Sequence, residues 1–367
     1  MLRWSLGVWL ALVAVWLTWT PFEVTATPNM VRLFPETSLT DVAGNLLLLA
    51  PFGAIAVLCG ERYSVMRAAI LAALLSASLE LGQTWIVGRT PSVWDVVFNT
   101  AGAAVAAHLA LRLTSRTRAS RVVFAIPAAV FCVIIAYVLY ASRVYAQGMR
   151  LAAWDESFQI AAGDEVGGAR RYVGEASAVQ ICAGEGRERL CAGPDAPPAT
   201  RASLVMIAER SQIVEVEADV RSASSTQSGP TRIVTFSRGP FDRNITLGQE
   251  GESLVLRLRT PMNGANGRDN ELISPSVLSL GVPTSIRVRY DHARVTTRLH
   301  SAQRTRVIEH IFDGLAAPLL VRGRGPVSEV QSSRARKLTM VVLAIPLVLA
   351  AAWTIRLVRK LGAHITP

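Results

Sequence analysis

The sequence predicts an α-helical transmembrane bundle joined to an all-β sandwich, with a C-terminal transmembrane helix closing the chain. Three observations predict it. Hydrophobic residues make up 51% of the 367 and charged residues only 18%, too apolar for one soluble globule. The apolar residues are segregated into 1–141 and 338–355. Between them, short β-rich runs alternate with clusters of Gly, Pro, Asn and Asp. The expected domains are therefore a membrane domain over 1–141, a β domain over 142–337, and a last helix with its tail over 338–367.

A bilayer core takes about 20 apolar residues in helix. Five stretches before the β region qualify: 4–20, 42–59, 66–86, 96–113 and 121–141. A sixth runs over 338–355. The first resembles a signal peptide, but Trp16, Trp19 and Phe22 crowd its exit, where a cleavage site needs small residues. It reads as a retained helix with an interfacial Trp belt.

Arg placement sets the expected orientation. Arg62 and Arg67 lie between the second and third stretches, and Arg112, Arg116, Arg118 and Arg121 between the fourth and fifth. Both links are then cytoplasmic, the N-terminus is inside, and the β domain is extracytoplasmic. Arg356, Arg359 and Lys360 anchor the C-terminus inside, although Arg334, Arg336 and Lys337 at the other end of that helix run against this. The expected location is the cytoplasmic (inner) membrane.

The net charge of +11 comes almost wholly from Arg, with Lys337 and Lys360 the only lysines. These Arg residues flank helices or spread through the β region. No dense basic block interleaves with aromatics, so nucleic acid is not the expected partner; the lipid bilayer is. Cys59 and Cys132 lie in apolar stretches. Cys182 and Cys191 flank a polar loop and could form a disulfide in an oxidising compartment, or stay free thiols.

Polar residues inside spans need a reason. The second stretch opens Asp41-x-x-x-Asn45 and the fourth opens Asp95-x-x-x-Asn99, a repeated helix entry in which each Asp is an expected N-cap. The third carries Glu80 and Gln83 near its end, Ser76 one turn earlier and Arg89 in the loop after it. Two helix starts and one helix end thus bring Asp41, Asn45, Glu80, Gln83, Arg89, Asp95 and Asn99 to one depth. Each also has a local use: capping, an ion pair between Glu80 and Arg89, or hydrogen bonding between helices. If the site is catalytic, Glu80 is the candidate general acid or base, Asp95 its neighbour, and Arg89 the holder of an anionic headgroup.

The ordered set Asp41, Asn45, Pro51, Gly53, Glu80, Gln83, Arg89, Asp95, Asn99 and Gly102 resembles the VanZ-like membrane domain over about 5–141. The resemblance implies a bacterial multi-helix membrane protein with no settled reaction. Its founding member is associated with resistance to the lipoglycopeptide teicoplanin.

In the β region, expected strands include Ser203–Ala208, Ile213–Val220, Arg232–Phe236, Asn244–Leu247, Ser253–Arg259, Ser285–Tyr290 and Val295–Leu299. Arg257 and Arg259 alternate with Leu256 and Leu258, which reads as one solvated face and one core face. Residues 231–267 and 163–181 are similar to LamG or concanavalin A-like jelly rolls, some of which are fused to VanZ-like domains. Tyr172 stands where those domains commonly carry Trp. That resemblance implies carbohydrate binding, sometimes with Ca²⁺. Asp242, Asn244, Gln249, Asn263, Asn266 and Asp269 are the candidate polar contacts, or simply turn residues. No calcium-loop spacing, metal-ligand spacing, phosphate loop or serine elbow is present.

Three functions remain open. One is a cell-envelope protein whose sandwich binds cell-wall glycan or another envelope polymer while its membrane domain binds a lipid-linked partner. The second is a membrane enzyme acting through Glu80, Arg89 and Asp95. The third is a transporter or flippase, against which stands the lack of a clear inverted repeat.

Overall fold

The computed structural model describes residues 2–19, 24, 26, 28–31, 39–59, 64–86, 89–113, 116–163, 171–239, 241–292, 294–302, 304–322 and 325–362. The chain divides into a helical unit, Met1–Val138 with Ala335–Pro367, and a β unit, Leu139–Arg334. In chain order the helices are α1 (Leu2–Trp19), α2 (Leu39–Leu48), α3 (Ala50–Cys59), α4 (Val65–Gln83), α5 (Val93–Leu113) and α6 (Arg116–Gly148). Then come strands β1 (Gln159–Ala162), β2 (Gly174–Ala183) and β3 (Leu190–Ala192), helix α7 (Pro198–Ser211), and strands β4 (Val214–Ser222), β5 (Thr231–Arg238), β6 (Asp242–Glu250), β7 (Ser253–Leu258) and β8 (Leu272–Ser274). The chain ends with β9 (Pro283–Tyr290), β10 (Arg294–Ser301), β11 (Thr305–Ile311), α8 (Ala317–Arg322), β12 (Val327–Ser328) and α9 (Glu329–Gly362).

Among the described residues, five stretches are long and apolar enough to cross a bilayer: Asp41–Leu58, Val65–Gln83, Val93–Arg112, Ala125–Gly148 and Glu329–Ala352. The apolar part of α1, Ser5–Trp19, is shorter. The stretch expected as one helix over 42–59 is two. Pro51 has no N–H to continue the ladder, and the chain breaks at Leu49 between α2 and α3. Arg62 lies outside the described residues, as do the side chains of Arg116, Arg118 and Arg121.

The helical core is built on α1. Trp9, Leu10, Val13 and Trp16 pack with Ile55, Ile134, Val138 and Val342. The indoles also find acceptors: Trp9 donates to the Val342 carbonyl at 2.9 Å and Trp16 to Thr339 Oγ1 at 3.0 Å. A second cluster joins Ala14, Leu49, Ala72, Leu79 and Ala103. Small residues there let backbones approach closely. Gly53 and Gly102 carry this furthest. A Cβ on Gly53 would run into the Ala103 carbonyl, and one on Gly102 into that of Leu46. The outward face is apolar and exposed at Leu47, Ile70, Leu74, Val97, Val105 and Leu109, as a lipid-facing surface should be.

The β unit holds two six-stranded sheets, ordered β1-β5-β6-β7-β8-β12 and β11-β10-β9-β4-β2-β3. The second alternates buried and exposed residues along β9 and β10, with Ile286, Val288, Tyr290, Val295, Thr297 and Leu299 inward. Its other face carries a charge ladder. Glu217 pairs with Arg287 at 3.0 Å and Arg189 at 2.9 Å, and Arg189 reaches Glu215 at 2.7 Å.

Two expectations for this unit fail. Ser203–Ala208 is not a strand but the middle of α7. Pro198 sits in the first turn, where its missing N–H costs nothing, and Gln212 closes the helix in a left-handed conformation, φ 59°. These end signals outweigh the apolar run between them. The first sheet, moreover, has no solvated face along β7. Arg257 is 6% exposed and holds Glu271 at 2.6 Å, so the Arg alternation marks a buried ion pair.

Candidate functional site

The helical unit builds its polar cluster where α4 ends and α2 and α5 begin. Ser92 precedes α5 and its hydroxyl accepts from Trp94 N–H at 3.2 Å. Neither Asp41 nor Asp95 is the cap expected; both lie within the first helical turn, where a carboxylate still meets the positive end of the helix dipole. That frees their carboxylates to reach sideways. Asn45 donates to Asp95 Oδ1 at 2.6 Å, tying α2 to α5. Asp41 lies within electrostatic reach of Asp95.

Glu80 is 8% exposed. Its Oε2 accepts from the Ser92 backbone N–H at 2.8 Å, and its Oε1 from Gln83 at 3.5 Å. Arg89 and Asp95 are both within electrostatic reach of it. One turn deeper, Asn99 donates to Ser76 Oγ at 2.9 Å, joining α5 to α4. Asn99 is 2% exposed, and its Oδ1 has no partner among the described residues.

The cluster therefore grades with depth. Asp41 is exposed, Asn45, Arg89 and Asp95 are half-buried, Glu80 and Gln83 are buried, and Ser76 and Asn99 form the floor. All seven candidate residues meet in this one region. Ionised carboxylates only accept hydrogen bonds, and amides both donate and accept. Three carboxylates beside one guanidinium suit hydroxyl or ammonium donors better than a bare anion.

Sequence reasoning missed the parts that hold the cluster. Ser92 caps α5 and also feeds Glu80; a Ser directly before an apolar helix was the available signal. Asn29 donates its side chain to the Ile86 carbonyl at 2.7 Å and its backbone N–H to Thr84 O at 2.7 Å, laying the first loop over the end of α4. Trp19 donates to Leu79 O at 3.2 Å. No local pattern announces these last two contacts.

Residues 7–115 match the family model VanZ/LLP1. Every residue of the polar cluster falls inside that VanZ-like segment, as do α2 to α5. No curated protein and no solved structure matches the chain.

In the β unit the residues considered for sugar contact are largely spent internally. Asn244 is fully buried and exchanges bonds with the Asp155 backbone at 2.9 and 2.8 Å. Gln249 donates to Ser224 O and Gly251 O. Asn263 donates to Leu258 O, Asn266 accepts from Arg268 N–H, and Asp242 faces Arg238. Tyr172 is buried too, which pushes its hydroxyl up to about 12. Cys182 and Cys191 lie opposite each other on β2 and β3 and form a disulfide. Among the described residues no group of three or more His, Cys, Asp or Glu could hold a metal ion.

Proposed function

We propose that this is a multi-pass cell-envelope membrane protein whose VanZ-like cluster binds the hydroxyl-rich headgroup of a lipid-linked saccharide. One observation carries the reading: the carboxylate–amide pairs Asn45–Asp95 and Glu80–Gln83 converge on one end of three apolar helices, above the Asn99 amide. Paired carboxylates and amides match vicinal hydroxyls, and Arg89 stands beside them for a phosphate. The β unit lies on the extracytoplasmic side and engages an envelope polymer. The Cys182–Cys191 disulfide supports that side, since such bonds persist in oxidising compartments. So does the Arg-rich flanking of the opposite helix ends. The VanZ-like resemblance extends the proposal to glycopeptide-antibiotic tolerance.

The test is co-purification. The intact protein, extracted with its lipids, is compared with Glu80→Gln and Asn99→Ala by native mass spectrometry. A saccharide lipid retained by the wild type and lost from both variants, with melting unchanged, supports the reading. Equal lipid content in all three sinks it. Thiol labelling from outside intact cells after mild reduction tests orientation; labelling of Cys182 and Cys191 only in broken cells reverses it.

A second reading, group transfer on such a lipid, rests on Glu80 lying buried beside Asp95. Turnover that survives both Glu80→Gln and Arg89→Ala removes it.

A further inference from the structure

A cleft opens on the β unit between β9, β10, the start of β11 and the 277–282 loop. Val277, Val282 and Leu299 floor it, Ser279, Thr284 and Ser301 add hydroxyls, and Arg304 and Arg306 supply its charge. Among the described residues no carboxylate lines it. We propose that this cleft is a binding site for the oxyanion substituent of an acidic sugar unit.

The two guanidiniums are placed differently. Arg306 is half-buried, and its Nη1 donates to the carbonyls of Pro275 at 3.4 Å and Ser276 at 3.1 Å. This fixes the guanidinium plane before any ligand arrives, so less rotamer freedom is lost on binding. Arg304 is exposed at the β10–β11 turn. Its backbone is held by paired bonds with Ser301, N–H to Oγ at 3.3 Å and Ser301 N–H to the Arg304 carbonyl at 3.0 Å. The side chain stays on the rim. One rigid and one adjustable guanidinium flank the pocket and supply its charged donors; the Thr284 and Ser301 hydroxyls donate to the Val282 and Arg304 carbonyls, which leaves Ser279 as the remaining hydroxyl of the lining.

Size narrows the ligand. The cleft is partly open to solvent and has room for about one water-sized group, so it admits a small substituent and not a whole pyranose ring. The cleft therefore takes the charged substituent, and the ring stays outside it.

The inference deepens the reading of the β unit as a polymer-binding part and is independent of the helical cluster. Full-length protein in nanodiscs is titrated with glucuronate, glucose and inorganic phosphate, binding being followed calorimetrically. Glucuronate should bind, glucose should not, and Arg304→Gln should weaken glucuronate about tenfold. Arg298→Gln, on the same β10 strand but outside the cleft lining, should bind as the wild type does. Phosphate binding equal to that of glucuronate points to a phosphorylated polymer and keeps the oxyanion site. Absence of binding by either anion, or affinity unchanged in Arg304→Gln, overturns it. Glu80→Gln should leave glucuronate binding intact, so failure of the headgroup reading and failure of this one are separable.

Discussion

Asn45 donates its side-chain amide to the Asp95 carboxylate at 2.6 Å, so the two repeated helix entries hold each other instead of each capping itself. Removing one partner of a buried or half-buried charge-assisted bond costs about 1–3 kcal/mol. Asn45→Ala should lower the unfolding free energy in detergent by that amount, as should Asp95→Ala. The double variant should lose less than the sum, with a coupling of about 1 kcal/mol. Strict additivity would show that the two side chains do not interact.

Close approach of the helices should be still less forgiving. Neither Gly53 nor Gly102 can take a Cβ without meeting a backbone carbonyl on the facing helix. Those carbonyls belong to helices and cannot swing aside as a flexible side chain could. Gly53→Ala and Gly102→Ala should each cost at least about 1–3 kcal/mol, the usual penalty of overpacking. Gly44→Ala, where the added carbon meets nothing, should be nearly neutral. Melting temperatures in one detergent decide the comparison.

In the β unit, the Arg257–Glu271 pair is the sharpest stability test. Arg257→Ala leaves Glu271 without its 2.6 Å partner in a largely dry setting. Breaking such a pair from one side costs about 3–5 kcal/mol. Arg257→Met with Glu271→Gln removes both charges and should recover most of that loss. Chemical denaturation followed by far-ultraviolet dichroism measures both; a single variant as stable as the wild type would contradict the burial.

Much of this architecture was legible in the sequence because membranes and sheets impose strict patterns. The apolar stretches and most of the expected strands follow from length, period and turn residues. The polar cluster was legible because charged and amide residues stand out against apolar helix. What was hidden had non-local causes. Ser203–Ala208 carries an ambiguous apolar run, and only its end signals make it helical. Arg257 looked solvated because nothing near β7 in sequence says that Glu271 folds back to it. The glycines of α3 and α5 were visible as residues, but their facing carbonyls, Ala103 and Leu46, come from other helices.

His310 gives a prediction in which pH is the variable. Burial holds its imidazole down to about 4 from an ordinary 6.5, with hydrogen bonds to the Ile273 and Val327 backbones opposing this. The folded state therefore keeps the ring neutral while the unfolded chain protonates it. Between pH 6.5 and 4 the unfolded state binds more protons, so stability falls as pH falls through that window. Below about 4 the loss is complete, and above about 7 the term vanishes. The full difference corresponds to roughly 3 kcal/mol. His310→Gln removes the titrating group, so its unfolding free energy should drop less between pH 7 and 5 than that of the wild type. Parallel pH profiles for the two proteins would show instead that carboxylates elsewhere set the acid sensitivity of the β unit.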